Sequence, residues 1–344
     1  MKFLVTGAAG FIGAFVSKAL IEAGHTVVGI DSLNSYYRVE LKEARLAMLE
    51  KSARDCGRAD AWIFVRGHIE DRELLLRVFS EHSFDRAIHL AAQAGVRHSI
   101  ENPFAYGSSN LDGFLNILEA CRAARMPHLA FASSSSVYGM NSKVPFSESD
   151  PVDHPVSLYA ATKRANELMA HTYAHLYRLP VTGMRFFTVY GPMGRPDMAY
   201  FKFADAIMSG KQIEVYNNGE LERDFTYIDD IVKAVVMISL SVPEENPSFD
   251  ASCATPDSSS APFKIYNVGN QHPEQLEYFI TILEHCLGKK AVKQYLPMQA
   301  GDVYRTVADT SALERDFGWK PSTSLETGLK RFAQWYRENY AWQQ

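Results

Sequence analysis

The chain has 344 residues, 47% apolar and 22% charged, which excludes disorder, collagen-like repeats and a disulfide scaffold and implies more than one core. Its 35 basic and 40 acidic residues balance to -5 with the signs interspersed, so nucleic acid is not an expected partner and anions must be held by local features. No apolar run reaches the roughly 18 residues that span a bilayer, strand-like sequence starts at Lys2, and the four cysteines lack Cys-x-x-Cys spacing, which predicts a cytoplasmic protein with no membrane partner and no metal site.

Short β-branched runs at 3–6, 26–30, 62–65, 86–90 and 129–132 alternate with helical patterns at 11–23, 40–53, 71–81 and 104–124. Such alternation predicts a parallel sheet covered on both faces, with ligands at the carboxyl ends of its strands. Directly after the first run comes Gly7-Ala8-Ala9-Gly10-Phe11-Ile12-Gly13, which opens the first helix. Glycines here permit a sharp turn, and the helix N-terminus offers unpaired N–H groups to a pyrophosphate. Asp31 follows the second strand, where a carboxylate accepts from both ribose hydroxyls and repels a 2′-phosphate, favouring NAD over NADP. A tight structural turn followed by a capping Asp is the alternative.

The serines 133–136 follow the fifth strand, and Tyr159-Ala160-Ala161-Thr162-Lys163 comes later at the spacing that puts Tyr and Lys on one helix face. A tyrosine hydroxyl, with a pKa near ~10, is a poor base until a neighbouring cation stabilises its phenolate. The pattern therefore points to Tyr159 as base, Lys163 as its cationic neighbour and Ser134 as hydrogen-bonding partner of the substrate hydroxyl. A solvated helix face is the alternative. Beyond a strand at 180–187, residues 188–198 look like a binding loop, 241–262 like a surface excursion, 263 onward like a strand, and 273–287 and 325–340 like helices.

Gly7, Gly10 and Gly13, with Asp31, Ser134, Tyr159 and Lys163, resemble the extended short-chain dehydrogenase/reductase superfamily over nearly the whole chain. Within it, the stretches 89–97, 133–139 and 185–199 are most similar to nucleotide-sugar 4-epimerases, in particular those acting on UDP-glucuronate. The resemblance implies an α/β fold, a Rossmann-type doubly wound parallel sheet with a smaller, mixed α/β C-terminal substrate domain. Residues 1–185 would bind NAD, with about 225–240 and 263–270 returning to that domain, and 186–344 would mainly bind the UDP-sugar. It further implies that Tyr159 takes the C4 hydroxyl proton while the C4 hydride passes to a tightly held, recycled NAD, and that the 4-keto sugar turns over before the hydride returns.

For the cofactor, the resemblance carries over Phe11, Ile12, Asn34, Ile69, Leu90, Ala91, Ala92, Gln93, Asn110 and Phe186 besides the residues already named. For the substrate it carries over Ser136, Thr188, Arg195, Ile213, Tyr216, Arg223, Asp302 and Arg305. Dehydratases of the superfamily carry acids where Ser135 and Ser136 stand, so elimination of water is not expected. Arg195 is the candidate clamp for the sugar carboxylate, because a guanidinium makes a planar two-point contact; an ordinary surface arginine is the alternative. His68 stands where the family usually has Asp at the adenine. A homodimer packed through 104–124 and 158–177 is implied. A 4-epimerase of a neutral UDP-hexose or UDP-N-acetylhexosamine, and a catalytically silent nucleotide-binding member, are the two rival readings.

Overall fold

The computed structural model describes residues 1–299 and 301–340, so residue 300 and the last four residues of the expected second domain lie outside the described residues. The central sheet contains β1 (Lys2–Thr6), β2 (Thr26–Asp31), β3 (Trp62–Arg66), β4 (Arg86–His89), β5 (Leu129–Ser134) and β6 (Val181–Phe186). Further along the chain come β7 (Thr188–Tyr190), β8 (Gln212–Tyr216), β9 (Glu222–Tyr227) and β10 (Phe263–Val268), then β11 (Pro273–Gln275) and β12 (Val292–Leu296). In space the large sheet runs β10-β6-β5-β4-β1-β2-β3, and every pairing in it is parallel. Strand order therefore reverses between β1 and β4, which opens a crevice at their carboxyl ends.

Side chains alternate across this sheet as a strand requires. Phe3, Val5, Val27 and Ile88 join one core with helices Phe11–Glu22 and Ile228–Leu240, whereas Leu4, Val28, Ile30 and Ala87 join a second core with helices Gly113–Ala123 and Leu158–Tyr177. The first core continues into a smaller region, where β7, β9 and β11 form one sheet, β8 and β12 pair separately, and helices Ala199–Ser209, Leu276–Leu287 and Leu325–Trp335 pack together. Among the described residues no helix is long and apolar enough to cross a membrane.

Three local expectations change. The run 188–198 begins as β7, because Thr188–Tyr190 pairs with Phe225–Tyr227. Residues 273–275 pair antiparallel with β9, so the helix starts only at Leu276. The pattern at 104–124 is helical but contains a π-helical turn, Gly107–Asp112, before Gly113–Ala123. Hydrophobic period alone does not register the extra residue of a π turn.

Candidate active site

The crevice opens into a cavity of about 970 Å³ that the central sheet shares with the smaller region. At its floor, Gly7 turns with φ +70, and a Cβ there would lie 2.7 Å from the Ala91 nitrogen; at Gly13 it would lie 2.1 Å from the Gly7 carbonyl oxygen. Only glycine lets the turn close this tightly against the end of β4. The helix Phe11–Glu22 starts from Gly10 with no side-chain cap, so its first N–H groups are available to an anion. At the end of β2, Asp31 accepts hydrogen bonds from the Ala9 N–H (3.0 Å) and the Leu33 N–H (2.9 Å), which orient its carboxylate beside the turn. This cradle, its free helix end and its oriented carboxylate fit a dinucleotide.

Ser134, at the end of β5, and Tyr159 and Lys163, in the first turns of Leu158–Tyr177, all line the cavity. Ser157 caps that helix by accepting from the Ala160 N–H, which fixes where the Tyr–Lys face begins. Ser134 Oγ accepts from the Ser136 N–H at 3.2 Å and donates to Ser136 Oγ at 3.1 Å. Burial pushes the Tyr159 phenol above its ordinary pKa, opposed by a hydrogen bond with Ser134 and by the Arg195 guanidinium. The Lys163 ammonium donates to the Ala132 carbonyl at 2.9 Å and sits 6.0 Å from the centre of the Tyr159 ring. Burial pulls Lys163 down to about 8, against the raising effect of Glu167. Sequence reasoning names Lys163 as the cation beside the phenol; in the structure the cation that opposes the upward shift of the phenol is Arg195.

Arg195 leaves the loop after β7 and pairs side-on with Asp197, Nε to Oδ1 at 3.0 Å and Nη2 to Oδ2 at 2.5 Å. Although burial opposes its charge, Asp197 pushes the guanidinium pKa up and keeps it protonated. Arg195 and Asp197 both line the cavity. Thr188, Ile213 and Tyr216 line the same cavity, as do Arg223 and Asp302. Asp302 is flanked by two guanidinium groups, Arg97 at 3.3 Å and Arg223 at 3.6 Å, and Arg97 also lies over the Tyr216 ring.

Phe11, Ile12, Asn34, Ile69, Leu90, Ala91, Ala92, Gln93, Ser136 and Phe186 also line the cavity, whereas Asn110 and Arg305 do not. Buried Asn110 holds Gln93 instead, accepting from its N–H at 2.8 Å and donating to its carbonyl at 3.0 Å. Arg305 stands outside, paired with Glu222 at 2.7 Å. His68 lines the mouth, with its ring 3.9 Å from Glu70. Sequence reasoning missed Tyr36, Lys42 and Asp197. The Lys42 ammonium donates to the Asn34 carbonyl and side chain, and the Tyr36 hydroxyl donates to Asp197. The one local signal was Asp197, two residues beyond an arginine already singled out.

The sequence profile of the NAD dependent epimerase/dehydratase family matches residues 3–251. A probable UDP-glucuronate 4-epimerase of Rhizobium meliloti (strain 1021) is 49% identical over 341 residues, covering 99% of this chain and 98% of that protein. UDP-glucuronate 4-epimerase 4 of Arabidopsis thaliana is 49% identical over 344 residues, covering 98% of this chain and 76% of that one. Among solved structures, the UDP-glucuronic acid 4-epimerase from Bacillus cereus in complex with UDP-glucuronic acid and NAD aligns with a TM-score of 0.83 at 30% identity, covering 99% of this chain and 100% of that one. A profile spanning most of the sequence and full-length relatives at about half identity show that the chain belongs to the NAD dependent epimerase/dehydratase family.

Proposed function

We propose that the protein interconverts UDP-glucuronate and UDP-galacturonate by inverting C4 of the sugar, with NAD as recycled cofactor. The observation that carries this reading is the placement of Tyr159, Ser134 and Arg195 in one cavity with the glycine cradle. Relatives of nearly the full length of this chain that bear the name UDP-glucuronate 4-epimerase support it.

NAD, when bound, supplies reversible acceptance of a hydride from the sugar's C4. The chain's own residues handle the proton and the orientation. Tyr159 Oη takes the proton of the C4 hydroxyl and later returns it, and Ser134 holds that hydroxyl through its side chain. Lys163 and Arg195 place positive charge near the phenol, which lowers the cost of its deprotonation in a buried setting. The 4-keto hexuronate formed on the way is a β-keto acid, prone to losing its carboxyl group. Arg195 holds that carboxylate, and Thr188 adds a hydroxyl, so the breaking C5–C6 bond is kept out of alignment with the ketone. Serine at 135 and 136 leaves no acid there to expel a hydroxyl by elimination.

Gly7, Gly10, Gly13, Asp31 and Asn34, with the β4 end from Leu90 to Gln93, hold the cofactor, and Asn110 acts through Gln93. Ile213, Tyr216, Arg223 and Asp302 hold the uridine diphosphate. In this division residues 1–185, with later segments returning to the large sheet, serve NAD, and most of 186–344 serves the sugar nucleotide. Exposed apolar side chains on the outer helices, Phe104, Leu115, Leu168 and Leu176 among them, support a homodimer formed through those helices.

The test is turnover of UDP-glucuronate beside UDP-glucose and UDP-N-acetylglucosamine. A strong preference for the acidic sugar is expected. Turnover of the neutral sugars alone overturns the substrate assignment.

A further inference from the structure

Arg45 lies within the helix Val39–Asp55, fully buried and absent from the cavity wall. A guanidinium carries five N–H donors, and here all of them reach neutral oxygens. Nη1 donates to the Ala9 carbonyl at 2.9 Å and to the Tyr37 hydroxyl at 2.7 Å. Nε and Nη2 donate to the Met193 carbonyl at 3.0 and 2.6 Å, and Nη2 also reaches the Gly194 carbonyl at 3.1 Å. One planar group thus ties the glycine turn to the two residues immediately before Arg195.

The other end of that loop is held from the same side of the cavity. Tyr36, next to Tyr37, donates its hydroxyl to Asp197 Oδ2 at 3.2 Å, and Asp197 is the carboxylate that grips Arg195. Arg195 is therefore fixed from both directions, through the carbonyls that precede it and through its counter-ion. Charged donors bind carbonyls more strongly than neutral ones, and in a dry interior each such bond is stiff. A lysine at position 45 would keep the charge but carries its donors on a single nitrogen, which cannot span Ala9 and the 193–194 carbonyls together.

We propose that Arg45, assisted by Tyr36, is a positioning residue for substrate specificity: it sets the Arg195 guanidinium where the sugar carboxylate must lie. This role rests on the functional reading above. It predicts that recognition of the acid suffers most, because the uridine diphosphate contacts at Arg223 and Tyr216 belong to other elements, with a smaller effect on kcat because Arg195 also faces the Tyr159 phenol.

The experiment compares Arg45→Lys and Tyr36→Phe with the unaltered holoenzyme at matched NAD content. It records KM and kcat for UDP-glucuronate and the inhibition constant of UDP-glucose as a competitor. For Arg45→Lys, KM for the acid is expected to rise about tenfold, with a smaller fall in kcat and a nearly constant inhibition constant for the neutral sugar. For Tyr36→Phe the same pattern is expected at about threefold. Equal changes in both constants, or none, overturn the role; if Arg45→Lys does not fold, Tyr36→Phe decides. Unaltered enzyme that leaves UDP-glucuronate untouched overturns the functional reading and this role with it. Unaltered enzyme that converts it, with discrimination intact in the variants, overturns the role alone.

Discussion

Tyr159 is asked to lose a proton in a place where burial favours keeping it. The groups that oppose burial are a hydroxyl, Ser134, and a cation, Arg195, whose own charge is secured by Asp197. A phenyl ring at 159 keeps the packing and removes the proton acceptor. Tyr159→Phe is therefore expected to lower kcat by roughly 10²–10⁴-fold with cofactor content and fold unchanged, measured as product formed per NAD-loaded molecule. Activity within a factor of two of the unaltered enzyme would assign the base elsewhere. Asp31, the glycines, Ser134, Tyr159 and Lys163 are legible in the sequence because their placement is local: a turn after a strand, or two side chains one helical turn apart. Tyr36 and Arg45 are not, because their partners in the 191–197 loop lie about 150 residues further along the chain and meet them only through tertiary packing, whereas Asp197 leaves only its two-residue spacing from Arg195 as a signal. Arg305 shows the converse limit, since a similar motif does not reveal that Glu222 claims its side chain.

At the scale of elements, the parallel sheet and its helices follow from alternation of β-branched and helical runs. The small sheets of the second region do not, because β7 and β11 have only three residues each and are defined by pairing with β9. The helix Leu158–Tyr177 serves two purposes. Its inner face presents Tyr159 and Lys163 to the cavity, while Leu168 and Leu176, at 54% and 60% exposure, lie on its outside. Eight residues apart, they stand on one face, and Leu115, on the neighbouring helix Gly113–Ala123, is 42% exposed. For the homodimer proposed above, the unaltered protein is expected to sediment as a dimer and Leu168→Glu with Leu176→Glu as a monomer in sedimentation velocity. A mass that does not change would show that this face is not the contact.

Across the whole molecule, a buried polar chain links the reacting end to the far edge of the large sheet. Ser133 donates to Glu167, Glu167 pairs with Arg185, Arg185 reaches the Tyr138 hydroxyl, Tyr138 donates to Asn267 on β10, and the Asn267 N–H donates to Glu148. Burial lifts the Glu148 carboxyl from 4.5 to about 7. The folded protein thus holds this proton more tightly than the unfolded chain does, so Glu148 lowers stability as pH rises from about 4.5 to about 7, by on the order of 3 kcal/mol. Glu148→Gln should flatten the fall in Tm between pH 5 and pH 8; parallel Tm curves would contradict it. The same whole-molecule view explains how a chain of net charge -5 takes two anionic ligands: Lys42, Arg97, Arg195 and Arg223 line one cavity, against a mildly repulsive background. The most direct measurement is NMR of the product from UDP-glucuronate deuterated at C4, incubated without added oxidant or reductant. UDP-galacturonate that retains deuterium at C4 is the predicted result. Absence of the galacto product, or its appearance with protium at C4, would contradict epimerisation through a C4 hydride that leaves and returns to the same carbon.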